Sequence, residues 1–246
     1  MNIKKEYLPY ISGEKFLNSI AFRLPQKKTQ IPKRIEQILQ LCEDKRVVHL
    51  GCCDHVPLIE QKINSNRWLH DLLTKNSKEC IGIDIDLDAI SFIEKQFKIT
   101  NVFHADITKE LPEEVNKSNW DFLVLGEILE HIDNPVDFLS KIKKNCPNIK
   151  NIIISVPNAQ SLTFAEGIKQ NIEYINTDHR YWFTPYTLIK VMHQSKITLD
   201  KLLFVDRMPL TKWGLVKLKI YQLINRSEPK YNVNHAKTLL SVGQLN

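Results

Sequence analysis

Three stretches of the chain carry residues whose types and spacing suit the binding of a nucleoside. The first is VVHLGCCDH at 47–55, which reads as the end of a buried strand running into a ligand loop. Val47, Val48 and Leu50 are strand formers, and Gly51 begins the turn. A dinucleotide or nucleoside site normally places two more glycines here, and this chain has Cys53 and His55 instead. The second is IGIDID, with Asp84 coming 33 residues after Gly51. A carboxylate at that strand end accepts two hydrogen bonds from ribose hydroxyls. The third is NVFHADIT, where Asp106 is placed to accept a bond from an adenine amino group. Two acids at successive strand ends after a glycine turn describe an adenosine site. Asp86 and Asp88 fit helix N-caps equally well.

These residues converge only if the intervening elements stack them. Apolar residues at helical period predict a helix over 31–44, with Pro32 in its first turn. The strand RVVHLG follows, and then a segment over 59–77 that is helical at least in its second half. A strand over 79–86, an amphipathic helix over 87–97 and a strand over 101–108 come next. Residues 119–132 begin as a strand and turn into a loop or short helix. A helix over 135–146 opens at Asp133 or Asn134 before Pro135, and a β-branched strand over 151–158 stops near Pro157. A helix over 183–195 and one more strand within 197–206 complete the pattern. Strands alternate with helices, and several strands are apolar on both faces. That predicts an α/β fold, a parallel sheet covered by helices on both sides. Such sheets bind ligands beyond the carboxyl ends of their strands, where Gly51, Asp84, Asp106, Glu127 and Asn158 fall. The expected organisation is one domain over 46–206, an N-terminal helical extension over 1–45 and a C-terminal extension over 207–246. The last reads as an amphipathic helix around 212–225 followed by a loose end.

Composition sets bounds on function. The chain has 246 residues, 43% hydrophobic and 25% charged, the balance of a soluble globular domain. No apolar run approaches the roughly 20 residues that a helix needs to span a bilayer. The N-terminus has lysines but no apolar core of a secretory signal. Five cysteines without a staple-like spacing read as reduced thiols, so a cytoplasmic protein is expected. The net charge of +6 is spread along the chain and gives no strong nucleic-acid signal. No HxxxH or HExxH pattern joins His49, His55, His70 and His104, so no metal is expected. A nicotinamide enzyme would show GxGxxG after the first strand, and this chain does not.

The stretches VVHLGCCDH, IGIDID, HADIT, WDFLVLGEILEHIDNPVDFL and NIIISVPN together resemble the class I S-adenosylmethionine-dependent methyltransferases. DHRYWFTPYTLIKVM resembles the segment after the fifth strand in small-molecule and sugar methyltransferases. The likeness covers about residues 45–206 and extends to bacterial methyltransferase-domain proteins found with envelope glycan genes. It implies a Rossmann-like, doubly wound, mostly parallel seven-stranded sheet. It implies S-adenosyl-L-methionine as cofactor and S-adenosyl-L-homocysteine as product. Gly51 and Cys52 would lie against the methionine end, Asp84 would hold the ribose, and Ile85 would lie on adenine. Asp106 and Ile107 would fix the adenine edge, and Gly126 and Glu127 would line the methionine arm. The chain departs from the family at His49, where an acid is usual, and at Cys53 and His55. Without those glycines the loop follows another path, or Asp54 adopts a left-handed turn and meets the cofactor's ammonium.

The resemblance implies methyl transfer to a small-molecule or glycan acceptor. A hydroxyl acceptor must lose its proton, and histidine is suited to take it near neutral pH. His131, after the fourth strand, and His179, before RYWFTP, are the candidates, with His179 favoured as the base. Tyr181 and Trp182 are expected in the acceptor wall, with Asn158 also contacting substrate. No NPPY or DPPY follows the fourth strand, which argues against amino methylation of bases. The competing readings are an RNA or protein methyltransferase and a non-catalytic module that kept the fold. Residues 1–45 and 207–246 leave a homodimer open.

Overall fold

The computed structural model describes residues 1, 3–209, 216, 218, 221–224 and 229–246. A short helix α1 (Leu8–Ser12) and helix α2 (Arg34–Cys42) lead into β1 (Arg46–Leu50). Then come α3 (Val56–Asn64), α4 (Leu69–Asn76), β2 (Glu79–Asp84), α5 (Leu87–Phe97), β3 (Val102–His104) and α6 (Glu113–Asn116). β4 (Trp120–Gly126), α7 (Pro135–Asn145), β5 (Ile149–Pro157), α8 (Leu162–Lys169) and α9 (Pro185–Gln194) follow. The chain closes with β6 (Thr198–Arg207) and β7 (Ala236–Gln244). The strands form one seven-stranded sheet in the order β3-β2-β1-β4-β5-β7-β6. The first five run parallel, and β7 runs antiparallel to both of its neighbours. The expected α/β, doubly wound, mostly parallel sheet is the one observed.

β1 shows why its residues read apolar throughout. Side chains alternate across a strand. Val48 and Leu50 enter the larger core with Ile83, Leu123 and Leu125. Val47 points to the opposite core, against Ile38 and Cys42 of α2 and Val124 and Ile153 of the neighbouring strands. After β1 the chain winds outward to β2 and β3; β4 returns to the other side of β1 and continues to β5. The reversal opens a crevice at the carboxyl ends of β1 and β4, where such sheets bind ligands.

Caps place the helices against these ends. Asp86 accepts from Ala89 N at 2.9 Å and starts α5, so this acid is the cap, and Asp84 is left at the strand end. Asn134, not Asp133, caps α7 by accepting from Asp137 N at 3.1 Å. Thr184 and Thr187 form a reciprocal capping box at the start of α9.

The segment 59–77, expected to be helical at least in its second half, carries α4 there and most of α3 before it, with a break where Asn66 takes φ 52°. Three expectations are corrected. The third strand stops at His104, so Asp106 lies in the turn beyond it. The residues after 235, expected as a loose end, form β7 and pair with β5 and β6. Leu239 and Leu240 of β7 are fully buried, one on each face. The boundaries at 45 and 206 therefore cut through packed structure, since α2 and β7 both belong to the sheet's layers. The helix expected around 212–225 falls largely outside the described residues; 216, 218 and 221–224 are helical. Among the described residues, no helix is long and apolar enough to cross a membrane.

Candidate active site

A cavity of about 990 Å³ opens at the carboxyl ends of β1, β2 and β4. Asp84 stands at the end of β2 and is 7% exposed. Its Oδ2 accepts from Cys53 N at 2.7 Å and its Oδ1 from Asp86 N at 3.1 Å. Each oxygen keeps a further lone pair for a ligand. Burial raises the Asp84 pKa, and the backbone donors oppose that rise. Ile85, next along the chain, lines the cavity with 72% of its surface open. Asp106 also lines it, but accepts from Thr108 Oγ1 at 2.6 Å and pairs with Lys109 at 3.0 Å. The Thr108 bond leads the causes that lower its pKa. Ile107 is buried beneath, at the cavity's inner surface.

The loop after β1 reaches this position without the two missing glycines. Gly51 takes the left-handed φ of 60°, and a Cβ there would lie 2.3 Å from Ile128 Cδ1. Among the described residues Cys53, Asp54 and His55 keep negative φ, so the glycine conformation is needed once. The bond from Cys53 N to Asp84 then pins the loop, and His55 O accepts from Leu58 N at 2.7 Å to start α3. Cys52 is buried with its carbonyl taken by Trp68 Nε1 at 3.0 Å. Asp54 keeps negative φ and is ion-paired with Lys62, so of the two alternatives the loop takes the different path and not the left-handed turn at Asp54.

At the end of β4, Gly126 and Glu127 border the same cavity. Glu127 takes φ 61°, a strained value for a residue with a side chain, and its buried Oε1 has no partner. Burial raises the Glu127 pKa, and the Arg34 guanidinium opposes it. Arg34 comes from the first turn of α2 and crosses beneath Gly126, its NH1 reaching Ser155 Oγ at 3.2 Å. That nitrogen lies only 3.2 Å from where a Cβ at position 126 would be. A cation and an anion side by side in a half-enclosed cavity suit the two ends of a zwitterionic amino acid. His49, where an acid was usual, is buried and stacked on His70 at 5.6 Å. Burial first, then His70 and Arg34, push its pKa well below the ordinary value, so this position carries no charge at neutral pH.

A third group lies beyond Glu127. Glu130, in a 3-10 turn over Leu129–His131, is 0% exposed, and neither carboxylate oxygen has a partner. Its pKa is pushed up to about 8 by burial and by Glu127 beside it. His131 Nδ1 donates to Asp178 Oδ2 at 2.9 Å. His179 meets His131 edge to face at 4.7 Å, and its Nδ1 is buried without a partner. Arg180 N and Tyr181 N donate to Glu130 O at 2.8 and 3.2 Å, which ties this segment across the turn.

The structure thus gathers Gly51, Cys52, Asp54, Asp84, Ile85, Asp106, Ile107, Gly126, Glu127, His131 and His179 around one cavity. It does not bring the expected acceptor residues there. Asn158 is 1% exposed, its Nδ2 donating to Ala236 O at 2.9 Å and its Oδ1 accepting from Gln160 N, so it ties β5 to β7. Trp182 packs behind His179 against Phe164 of α8, at 4.4 Å between ring centroids. Tyr181 turns its hydroxyl to Asp133 O at 2.7 Å. The segment instead lines the cavity with Asn176, Asp178, His179 and Arg180. Sequence reading missed Arg34 and Asp178, which no local spacing marks, and Glu130, whose signal was an acid amid the apolar run GEILEHI.

The methyltransferase domain family matches residues 25–200. No curated protein matches the sequence. Among solved structures, the small RNA methyltransferase HEN1 is similar with a TM-score of 0.57 at 14% identity, over 90% of this chain and 27% of that one. The methyltransferase domain of a bacterial Hen1 protein gives 0.52 at 16% identity, over 86% and 97% of the two chains. A SAM-dependent methyltransferase from Thermotoga maritima gives 0.52 at 15%, over 86% and 87%. At these identities the likeness speaks for the fold. The family match over most of the chain, on a doubly wound seven-stranded sheet with a cavity at its carboxyl ends, shows that the chain belongs to the methyltransferase domain family and is a class I S-adenosylmethionine-dependent methyltransferase.

Proposed function

We propose that this methyltransferase acts on a hydroxyl oxygen of a small molecule or glycan, with cell-envelope polysaccharide intermediates as the first acceptors to test. The observation that carries the reading is the pair His131 and His179 on the cavity wall with Glu130 buried beside them, whose polar atoms are unpartnered or held ready. An amine arrives with a free lone pair and needs orientation. A hydroxyl must also lose a proton, and this wall supplies the groups to manage that loss. S-adenosylmethionine supplies a methyl group on a sulfonium, whose departure as a thioether needs no acid. Asp84 holds the ribose, Ile85 covers adenine and Asp106 takes the adenine edge. Arg34 takes the carboxylate and Glu127 the ammonium of the amino-acid end. The envelope-glycan assignment rests on the sequence resemblance.

A second reading, a ribose hydroxyl of RNA, draws on the net charge of +6 and on Arg67 and Arg180 at the cavity. The likeness to one protein named as a small RNA methyltransferase agrees with it. Calorimetric titration with S-adenosylmethionine, S-adenosylhomocysteine and NAD comes first, and binding of the first two alone is expected. Labelled methyl transfer is then followed over sugars, nucleotide sugars and short RNAs at two salt concentrations. Alkali-stable label on a sugar hydroxyl supports the first reading. Label on RNA that falls steeply with salt selects the second. Label only on nitrogen overturns both.

A further inference from the structure

The acceptor wall has the composition of a metal site. One donor atom each from Glu130, His131 and His179 lies within 4.8 Å of the other two. Glu130 is 0% exposed and both of its oxygens lack a partner, an unfavourable state for a buried acid unless a cation faces it. His179 Nδ1 is likewise buried without a partner. Asp178 supplies an independent observation. Its carboxylate can only accept, so the 2.9 Å contact places a proton on His131 Nδ1 and the lone pair on Nε2. A carboxylate behind an imidazole is the recurring outer support of metal-bound histidines. The other candidate group among the described residues, Cys52, Cys53 and Asp84, holds no buried nitrogen or oxygen without a partner, since the Asp84 oxygens accept from Asp86 N and Cys53 N.

We infer that Glu130, His131 and His179 bind a first-row divalent cation whose open positions take the acceptor hydroxyl. Two imidazoles and a carboxylate suit Mn²⁺, Fe²⁺, Co²⁺ or Zn²⁺, whereas Mg²⁺ and Ca²⁺ favour oxygen alone. Three ligands leave further coordination positions unfilled, and His131 and His179 line the cavity from which an acceptor would reach them. A hydroxyl bound there loses its proton to solvent more readily, because the cation stabilises the alkoxide. The oxygen's electron pair then forms the new bond to carbon, and the pair of the broken carbon–sulfur bond stays on sulfur. The site's role in transfer rests on the hydroxyl reading; cation binding itself does not.

The test uses the full chain, stripped with a chelator and dialysed. Mn²⁺ is titrated, and free ion is followed by electron paramagnetic resonance. One bound Mn²⁺ per chain is expected. Glu130→Gln and His179→Ala each abolish saturable binding, and Asp178→Asn weakens it by about 10- to 100-fold. Asp84→Asn leaves Mn²⁺ affinity unchanged while weakening S-adenosylhomocysteine. Circular dichroism selects the folded variants, and Asp178→Asn, at a half-open residue, serves where Glu130→Gln does not fold. Absence of saturable binding of both Mn²⁺ and Zn²⁺ by a chain that binds S-adenosylhomocysteine overturns the metal site and spares the cofactor assignment. So does binding that survives in the His131→Ala and His179→Ala variants. Failure of S-adenosylhomocysteine binding with Mn²⁺ retained would count against the cofactor assignment alone.

Discussion

Asp84 Oδ2 accepts from the backbone N–H of Cys53 at 2.7 Å, joining the end of the second strand to the loop after the first. One carboxylate therefore shapes the loop and faces the cavity. This bond compensates for the missing glycines, because it fixes the loop with backbone angles that cysteine tolerates. Replacing Asp84 with Ala removes this tie together with the two acceptor oxygens proposed to hold the ribose. Two hydrogen bonds to a charged group contribute about 3 kcal/mol, on the order of a hundredfold in affinity. Calorimetry with S-adenosylhomocysteine measures the loss. In contrast, Cys53→Gly should leave affinity within about threefold of the parent, equivalent to under about 1 kcal/mol. A large gain in that variant would show that the cysteine side chain obstructs the site.

Arg34 gives a second expectation. Its guanidinium lies beside Glu127 and under Gly126, where an amino-acid carboxylate has a cation to meet. Arg34→Met should weaken S-adenosylhomocysteine by about 10- to 100-fold, corresponding to roughly 1.5–3 kcal/mol for a charged hydrogen bond. The decarboxylated form of the ligand should bind parent and variant alike. If both ligands lose equally, Arg34 acts by packing and not through the carboxylate.

These two residues also mark what could be read in advance. Asp84 was legible because a strand apolar on both faces ends at it, and the ligand crevice of a parallel sheet lies at strand ends. Arg34 was not, because its contact with Ser155 spans 121 residues and no local pattern announces it. The same holds for β7, whose partners are β5 and β6 and whose approach crosses the long connection after Arg207. Trp182 was misplaced for a related reason. Aromatic residues suit both pocket walls and cores, and the choice depended on Phe164 in α8, a helix the sequence pattern did not reveal. Glu130 was visible as a residue, but its burial without partners is a property of the turn's packing.

The buried histidine pair predicts a pH dependence of stability. His70 is 0% exposed, and burial lowers its pKa to about 4 from 6.5. The unfolded chain takes up a proton below 6.5 that the folded chain refuses until about 4. Stability is complete above pH 6.5 and falls as pH drops through this window, with a total from His70 of about 3 kcal/mol. His49 acts in the same direction. Thermal unfolding between pH 7 and 5 should steepen in the parent relative to His70→Gln, by up to about 1.4 kcal/mol per pH unit. Parallel curves for the two proteins would mean that His70 is protonated in the fold.

The last strand carries the clearest stability prediction. Leu240 is 0% exposed and pairs in register with Ser155 on one side and Leu203 on the other. It packs in the same core as Ile153 and Val205, on the face covered by α2. A tail that merely rested on the domain would tolerate truncation of this side chain. A strand inserted between two others would not, because the cavity left behind cannot be closed by moving either neighbour. Leu240→Ala should therefore cost about 2–5 kcal/mol. Urea unfolding measures it, with an unchanged slope expected if the native fold is kept. Since β7 also receives the Asn158 side chain through Ala236 O, the variant should loosen the segment that leads from β5 to His179. Weaker acceptor binding at unchanged cofactor affinity is the expected signature. A loss below about 0.5 kcal/mol, the range of surface substitutions, would put β7 outside the cooperative unit.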